Sequence, residues 1–192
     1  MSSETVSSRC GAYFQALYRI TRTVNSSLDI MQILPQVVSH TTETLGVKAC
    51  SLRLLSPDRR RLFIGATHGL SAGYRAKGPV DLEHSQVDQM ALAERRPVII
   101  PDAQNDPRFQ YGDQAREEGI VSVVVVPLFV QDQPIGVLRV YSGEPRNFSV
   151  EEIELLEAIA SLSALAIENG RLYERLNRDY QAALEFSDRT FD

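Results

Sequence analysis

Helical periodicity at both ends, strand-like apolar runs between turn formers in the middle, and an ordinary globular composition together predict an α+β domain. Of 192 residues, 43% are hydrophobic and 23% charged. That is enough chain and enough apolar content for one domain with helical extensions.

Ser2, Ser3, Ser7 and Ser8 make a polar lead with no apolar element of its own. From Cys10 to Val24, Cys10, Phe14, Leu17, Thr21 and Val24 fall on one helical stripe. Asn25, Ser26 and Ser27 interrupt it, and Ser27 is placed to cap a second helix carrying Leu28, Ile33, Leu34, Val37, Val38, Thr41 and Leu45. Pro35 lies inside that pattern and predicts a kink or a later start, and Gly46 ends it. Val47 to Leu55, the turn Ser56-Pro57-Asp58-Arg59, and Arg61 to Thr67 read as a hairpin. A glycine-rich stretch follows, and Ser85 with Asp88 three residues on reads as a capping box for a short helix through Glu94. Pro97 to Pro101 is a brief strand bracketed by prolines, which suits a sheet edge. Asp102 to Gly112 is a loop and Asp113 to Glu118 a short polar helix. Ile120 to Val130 and Ile135 to Tyr141 form a second hairpin, turned at Asp132-Gln133-Pro134. Ser149 then caps a long helix whose first turn holds Glu151, Glu152 and Glu154.

Composition excludes several partners. The net charge is -5 with scattered cations, which argues against direct binding of nucleic acid. The most apolar run, Ile120 to Val130, is too short to cross a bilayer and the N-terminus is no secretory signal, so no membrane contact by this chain is expected. Cys10 and Cys50, the two cysteines, have no disulfide or metal spacing. A cytoplasmic protein, or a cytoplasmic portion of a larger one, is expected.

In combination, several segments resemble the GAF domain family. Arg96-Pro97-Val98-Ile99-Ile100-Pro101-Asp102 with Asp106-Pro107-Arg108-Phe109 is similar to the segment before that family's ligand-facing loop. Ser122 to Leu128 with Ile135-Gly136-Val137-Leu138 resembles its last hairpin, and Phe148 to Glu152 with Ala166 to Tyr173 its exit helix. The resemblance spans about Leu28 to Tyr173. It implies a profilin-like antiparallel sheet of about five or six strands, with the terminal helices on one face. On the other face it implies a pocket roofed by the Ser85–Glu94 helix and the Asp102–Gly119 segment. It also implies a regulatory rather than catalytic role, with signals passed along the exit helix. The units expected are an N-terminal helix (1–26), the sensory domain (27–170) and a helical extension towards an effector (171–192).

Candidate pocket residues are His68, Tyr74, His84, Asp102, Phe109 and Tyr111. The three aromatics suit stacking on a planar ligand or filling the pocket themselves. Neither His68 nor His84 has a second metal ligand at suitable spacing, so no metal site is expected, and His84 stands where many relatives carry glycine. Asp102 and Asp106 lack a neighbouring nucleophile or base and read as turn formers. Cys50, alone inside a strand, reads as a packed and inert thiol, His40 as a partly exposed helix residue, and Arg59-Arg60-Arg61 as a solvated hairpin tip. No phosphate loop, dinucleotide fingerprint, zinc motif or nucleophile elbow is present, and no cofactor is indicated.

The final helix carries a heptad: Leu155, Leu162, Asn169, Leu176 and Ala183, with Ile159, Ala166, Tyr173 and Tyr180 four after the first four of them. Past Asn169 the apolar stripe of Leu172, Leu176, Tyr180 and Leu184 outruns what one domain buries, which predicts a homodimer. Phe14, Leu17, Leu162, Asn169, Leu172, Leu176 and Tyr180 are the candidate dimer contacts. The function expected is a non-catalytic sensory module that binds a small molecule and signals through dimeric helices to an effector domain or partner. A ligand-free dimerisation module is the alternative, and a thiol-dependent reductase a more distant one.

Overall fold

A computed structural model describes residues 3–190, with side chains described from 11 to 184. The side chain of Cys10 and its role on the first helical stripe lie outside the described residues. Two helices lead: α1 (Ser3–Val24) and α2 (Ile30–Leu45). The first hairpin, β1 (Ala49–Leu55) and β2 (Arg61–His68), comes next. A crossing segment then carries α3 (Ala72–Ala76), β3 (Val80–Asp81), a 3-10 turn over Leu82–His84, α4 (Gln86–Glu94), β4 (Val98–Ile100) and α5 (Gly112–Glu118). β5 (Ser122–Val130), β6 (Gln133–Ser142) and α6 (Val150–Thr190) complete the chain. The strands form one antiparallel sheet in the order β3-β2-β1-β6-β5-β4, so β4 with its flanking prolines is an edge.

Strand periodicity sorts the sheet into two faces. Cys50, Leu52, Val124, Val126, Leu138 and Val140 pack with Ile20, Ile33, Leu34, Val37, Ile159 and Ile167 of the terminal helices. The opposite face carries Ala49, Leu55, Val123, Val125, Val137 and Tyr141, which pack beneath α3, α4, α5 and the loops between them. The register is direct: Ala49 stands opposite Tyr141, Ser51 opposite Arg139 and Arg53 opposite Val137, so these six side chains share the second face. Gly136 lets β6 come close to β1, since a Cβ there would meet the Arg53 carbonyl oxygen at 2.1 Å.

Several local expectations need correction. α2 is capped by Asp29, whose carboxylate accepts from the Met31 amide, while Ser27 Oγ accepts from the Asp29 amide one step earlier. Pro35 is accommodated inside α2, where its missing N–H deprives only the Met31 carbonyl of a helical donor. Ser85 and Asp88 form no capping box, because Ser85 Oγ donates to the Asp88 carboxylate, which an arginine of the sheet has claimed. The second hairpin turns at Gln131-Asp132, with Gln133 and Pro134 already paired in β6. Gln131 takes a left-handed φ of 53° there. The predicted glycine-rich loop contains α3 and the short edge strand β3. A true capping box opens α6: Ser149 Oγ accepts from the Glu152 amide and Glu152 Oε2 from the Ser149 amide.

The buried face of α1 is also rotated from the predicted stripe. Ala16 and Ile20 are fully buried and Tyr13, Leu17 and Val24 pack beside them, leaving Phe14 72% exposed. α2 and α6 cover the line through Ala16 and Ile20, where the small Ala16 side chain suits close helix approach.

Candidate ligand pocket beneath α3, α4 and α5

The pocket face of the sheet is apolar except at its centre. There β1 places Ser51 and Arg53, and β6 places Arg139 and Tyr141, all four buried. Arg139 is neutralised by a carboxylate from the roof: its Nε donates to Asp88 Oδ1 at 3.1 Å and its Nη2 to Asp88 Oδ2. Ser85 Oγ donates to the same Oδ2 at 2.6 Å, so both Asp88 oxygens are occupied. Asp88 and the Tyr141 and Tyr74 hydroxyls push the Arg139 pKa up despite desolvation, so it stays charged. Ser51 Oγ and Tyr141 Oη share a hydrogen bond of 3.1 Å.

Arg53 has no such partner. It is fully buried, and Nε, Nη1 and Nη2 all lack a hydrogen-bond acceptor, as does Nη1 of Arg139. A third basic group descends from the roof. Lys77, which follows α3, holds its Nζ 3.3 Å from the centre of the Tyr74 ring and 3.9 Å from that of Tyr111. Nζ is buried without a hydrogen-bond partner. Desolvation first, and Arg53 and Arg139 next, bring its pKa down to about 6. Tyr74 sits edge-on to Tyr141 at 6.2 Å between ring centres, and its buried hydroxyl is also unpartnered. Burial pushes the Tyr74 hydroxyl pKa up, so it remains a donor. The second carboxylate near these cations, Glu118 of α5, is held at the rim by the Ser71 amide and hydroxyl at 2.8 and 2.5 Å.

The predicted pocket residues divide into two groups. Tyr74, Phe109 and Tyr111 are brought together on the pocket face, Tyr74 and Phe109 buried and Tyr111 partly so. His68, at the end of β2, and His84, before α4, are exposed and belong to the surface. His84 lies 3.8 Å from an Asp81 carboxylate oxygen, an exposed pair of little weight. Asp102 is exposed and shapes its loop by accepting from the Gln104 amide and Asn105 Nδ2. Arg53, Lys77 and Arg139 are absent from the residues that the sequence nominates, and Asp88 is nominated there only as a helix cap. Their signal lay in the alternation: an arginine at a core-facing position in each of two strands, Leu52-Arg53-Leu54 and Leu138-Arg139-Val140, breaks an otherwise apolar run.

Cys50 points to the helix face, opposite the pocket, and is fully buried. Burial pushes its thiol pKa up, which suppresses the thiolate. No group of metal-ligating side chains occurs among the described residues. Nor is any helix among them long and apolar enough to cross a membrane.

A curled antiparallel sheet with long terminal helices on one face and a roofed polar centre on the other is the architecture of a class of generally regulatory domains. The chain belongs to the GAF domain family, whose model matches residues 29–167. It is 28% identical over 174 residues to the formate hydrogenlyase transcriptional activator of Salmonella typhimurium, covering 86% of this chain and 24% of that protein. It is 25% identical over 155 residues to the methyl sulfide methyltransferase-associated sensor of Methanosarcina acetivorans, covering 79% and 16%. The chain thus spans about a quarter or less of these relatives, which are regulators and sensors. Among solved structures it resembles the GAF domain of a phosphoenolpyruvate-protein phosphotransferase from Coxiella burnetii. There the TM-score is 0.76 at 23% identity, covering 85% of this chain and 96% of that one. It also resembles a phycoerythrobilin-bound GAF domain of a cyanobacterial phytochrome, with a TM-score of 0.69 at 20% identity, covering 84% and 97%.

Proposed function

We propose that this chain is a non-catalytic sensory module of a signalling protein, binding a small molecule between the sheet and the α3–α5 roof. The observation that carries this is Arg53: a permanently charged side chain, fully buried on the pocket face with every nitrogen unpartnered. A pocket packed only for structure is better served by an apolar residue there, because an unpaired buried charge is strongly destabilising. Ligand-lining roles go to Tyr74, Phe109 and Tyr111, while His68, His84 and Asp102 stand at the surface. The regulators and sensors among its relatives support a regulatory output. An effector domain or partner, in a cytoplasmic setting, belongs to the same reading, as does the division into 1–26, 27–170 and 171–192.

Transmission runs through the helices. α1 and α6 run side by side in the same direction: Tyr13 Oη donates to Glu152 Oε1 at one end, and Val24 lies beside Ala166 and Asn169 at the other. Past Gly170 the side chains of α6 are largely exposed, including Leu172, Leu176 and Tyr180. These, with Phe14 and Asn169, form the proposed homodimer contact. Leu17 and Leu162 pack partly on the chain's own core, and add to the contact through their outer edges. A thiol-dependent reductase finds no support in Cys50, which lies across the sheet from the pocket.

Native mass spectrometry of freshly purified protein, repeated after denaturation, tests this. A dimer carrying a small mass that denaturation releases is the expected result. A mass that survives denaturation overturns the non-covalent reading, and a clean monomer overturns the helix pairing.

A further inference from the structure

Resting on the reading of this face as a ligand pocket, we propose that the ligand is a short-chain carboxylate, held by Arg53 and the free edge of Arg139, with Lys77 closing on it from the roof. The unsatisfied polar atoms at the centre of the site can all donate, and the four guanidinium nitrogens among them can do nothing else. They are the whole guanidinium of Arg53, Nη1 of Arg139, Nζ of Lys77 and the Tyr74 hydroxyl, which is kept protonated by burial. A neutral ligand such as a nucleobase brings donors as well as acceptors and leaves part of this set unmet. An acceptor-rich anion meets all of it.

The charge tally agrees. Asp88 is saturated by Arg139 and Ser85, and Glu118 is tied to Ser71 at the rim, so neither serves Arg53. A guanidinium is a permanent charge, and no acceptor among the described residues meets Arg53, so the ligand supplies its counter-charge. A first carboxylate offsets Arg53, for which a planar guanidinium offers two parallel donors. A second negative charge holds Lys77 in its protonated form. The walls distinguish carboxylate from bare phosphate: Tyr74, Phe109, Tyr111 and Tyr141 give a short carbon skeleton apolar surface to lie on.

The test is thermal denaturation of the full chain near neutral pH with sodium acetate, malonate, succinate or phosphate, against sodium chloride of equal ionic strength. At least one carboxylate is expected to raise the midpoint, by about 3–6 °C when present at roughly ten times its dissociation constant. Arg53→Met is expected to raise the midpoint of the empty protein and abolish that response. Lys77→Met, at a half-buried roof position, keeps the acetate response. It also removes the proton uptake that calorimetry in two buffers of different ionisation enthalpy detects with a dicarboxylate. Should Arg53→Met fail to fold, Arg53→Lys, which keeps the charge but loses the planar fork, must weaken the response. A carboxylate response unchanged in these Arg53 variants overturns the site. Stabilisation by phosphate alone, lost in Arg53→Met, overturns the carboxylate class and leaves the pocket standing. If no anion acts and native mass spectrometry finds a released neutral compound, the carboxylate inference falls alone. If neither is found, both readings fall.

Discussion

Arg53 and Arg139 project from adjacent strands onto the same face, and what meets each of them differs entirely. Arg139 finds Asp88 and forms a buried, two-point ion pair; Arg53 finds no hydrogen-bond acceptor among the described residues. Removing one member of a buried pair leaves a bare charge in a dry interior, whereas removing both does not. Asp88→Asn is therefore expected to lower stability by about 3–5 kcal/mol, read from urea denaturation. The double variant Asp88→Leu with Arg139→Met should recover most of that loss, and a double variant as unstable as the single one would contradict the assignment. Lys77 sets a pH dependence. It is pressed by Arg53 on β1 and Arg139 on β6, drawn the other way by Glu118 on α5, and flanked by the Tyr74 and Tyr111 rings. Its folded pKa of about 6 lies below the unfolded 10.5, so between those values the unfolded chain binds a proton that the folded chain does not. Stability of the ligand-free protein should accordingly rise as pH increases over about 6.5 to 8.5, and Lys77→Met should flatten that rise. At this scale the aromatics of the site were legible because loop tyrosines and phenylalanines need a place to pack. The cations were not: each belongs to the site only through strand register or a roof loop that no local pattern specifies.

The elements were legible to the degree that their signals are local. Helix caps show the limit. Ser149 caps α6 as the sequence predicts and also closes a capping box with Glu152, while Ser85 with Asp88 has the same spacing and forms none, because a buried arginine outcompetes the helix amide for Asp88. Ser149→Ala should cost about 1 kcal/mol of stability, since its cap is made. The heptad of α6 likewise holds two different tasks. Leu155, Ile159 and Ala166 are buried against the sheet and helices, and Gly170 sits so close to the turn before α2 that a Cβ would meet Ile30 Cγ2 at 2.5 Å. Leu172, Leu176 and Tyr180 are exposed and join neither core cluster among the described residues. Ile159→Ala should destabilise the fold by about 2–5 kcal/mol. Leu172→Glu with Leu176→Glu should leave the unfolding midpoint of the monomeric fold nearly unchanged while shifting sedimentation towards the monomer. A dimer that persists in this variant would move the contact away from the distal helix.

At the scale of the whole molecule, the two central strands are shared between pocket and helices. β1 and β6 present Arg53 and Arg139 to the roof, and on their reverse they present Leu52, Leu138 and Val140 to the core beneath α2 and α6. The strand-to-helix link is also tied down: Arg146 Nη2 donates to the Leu45 carbonyl at the end of α2 and to Glu152 Oε1 in the first turn of α6. A ligand that draws Arg53, Arg139 and Lys77 together therefore acts on strands packed against the helix that leaves the domain. If such an effect changes helix pairing, linkage requires the reverse: fixing the helices must alter ligand affinity by the same factor. Asn169 is exposed on the proposed seam just before α6 leaves the body, so Asn169→Cys in a Cys10→Ser background offers a disulfide between two copies. The oxidised dimer should bind the stabilising carboxylate with an affinity changed by about 5-fold to 150-fold relative to the reduced protein, the usual span of allosteric coupling. Equal affinities before and after oxidation would mean that the pocket and the helix pair do not communicate, because a ligand can shift only an equilibrium whose two states it distinguishes.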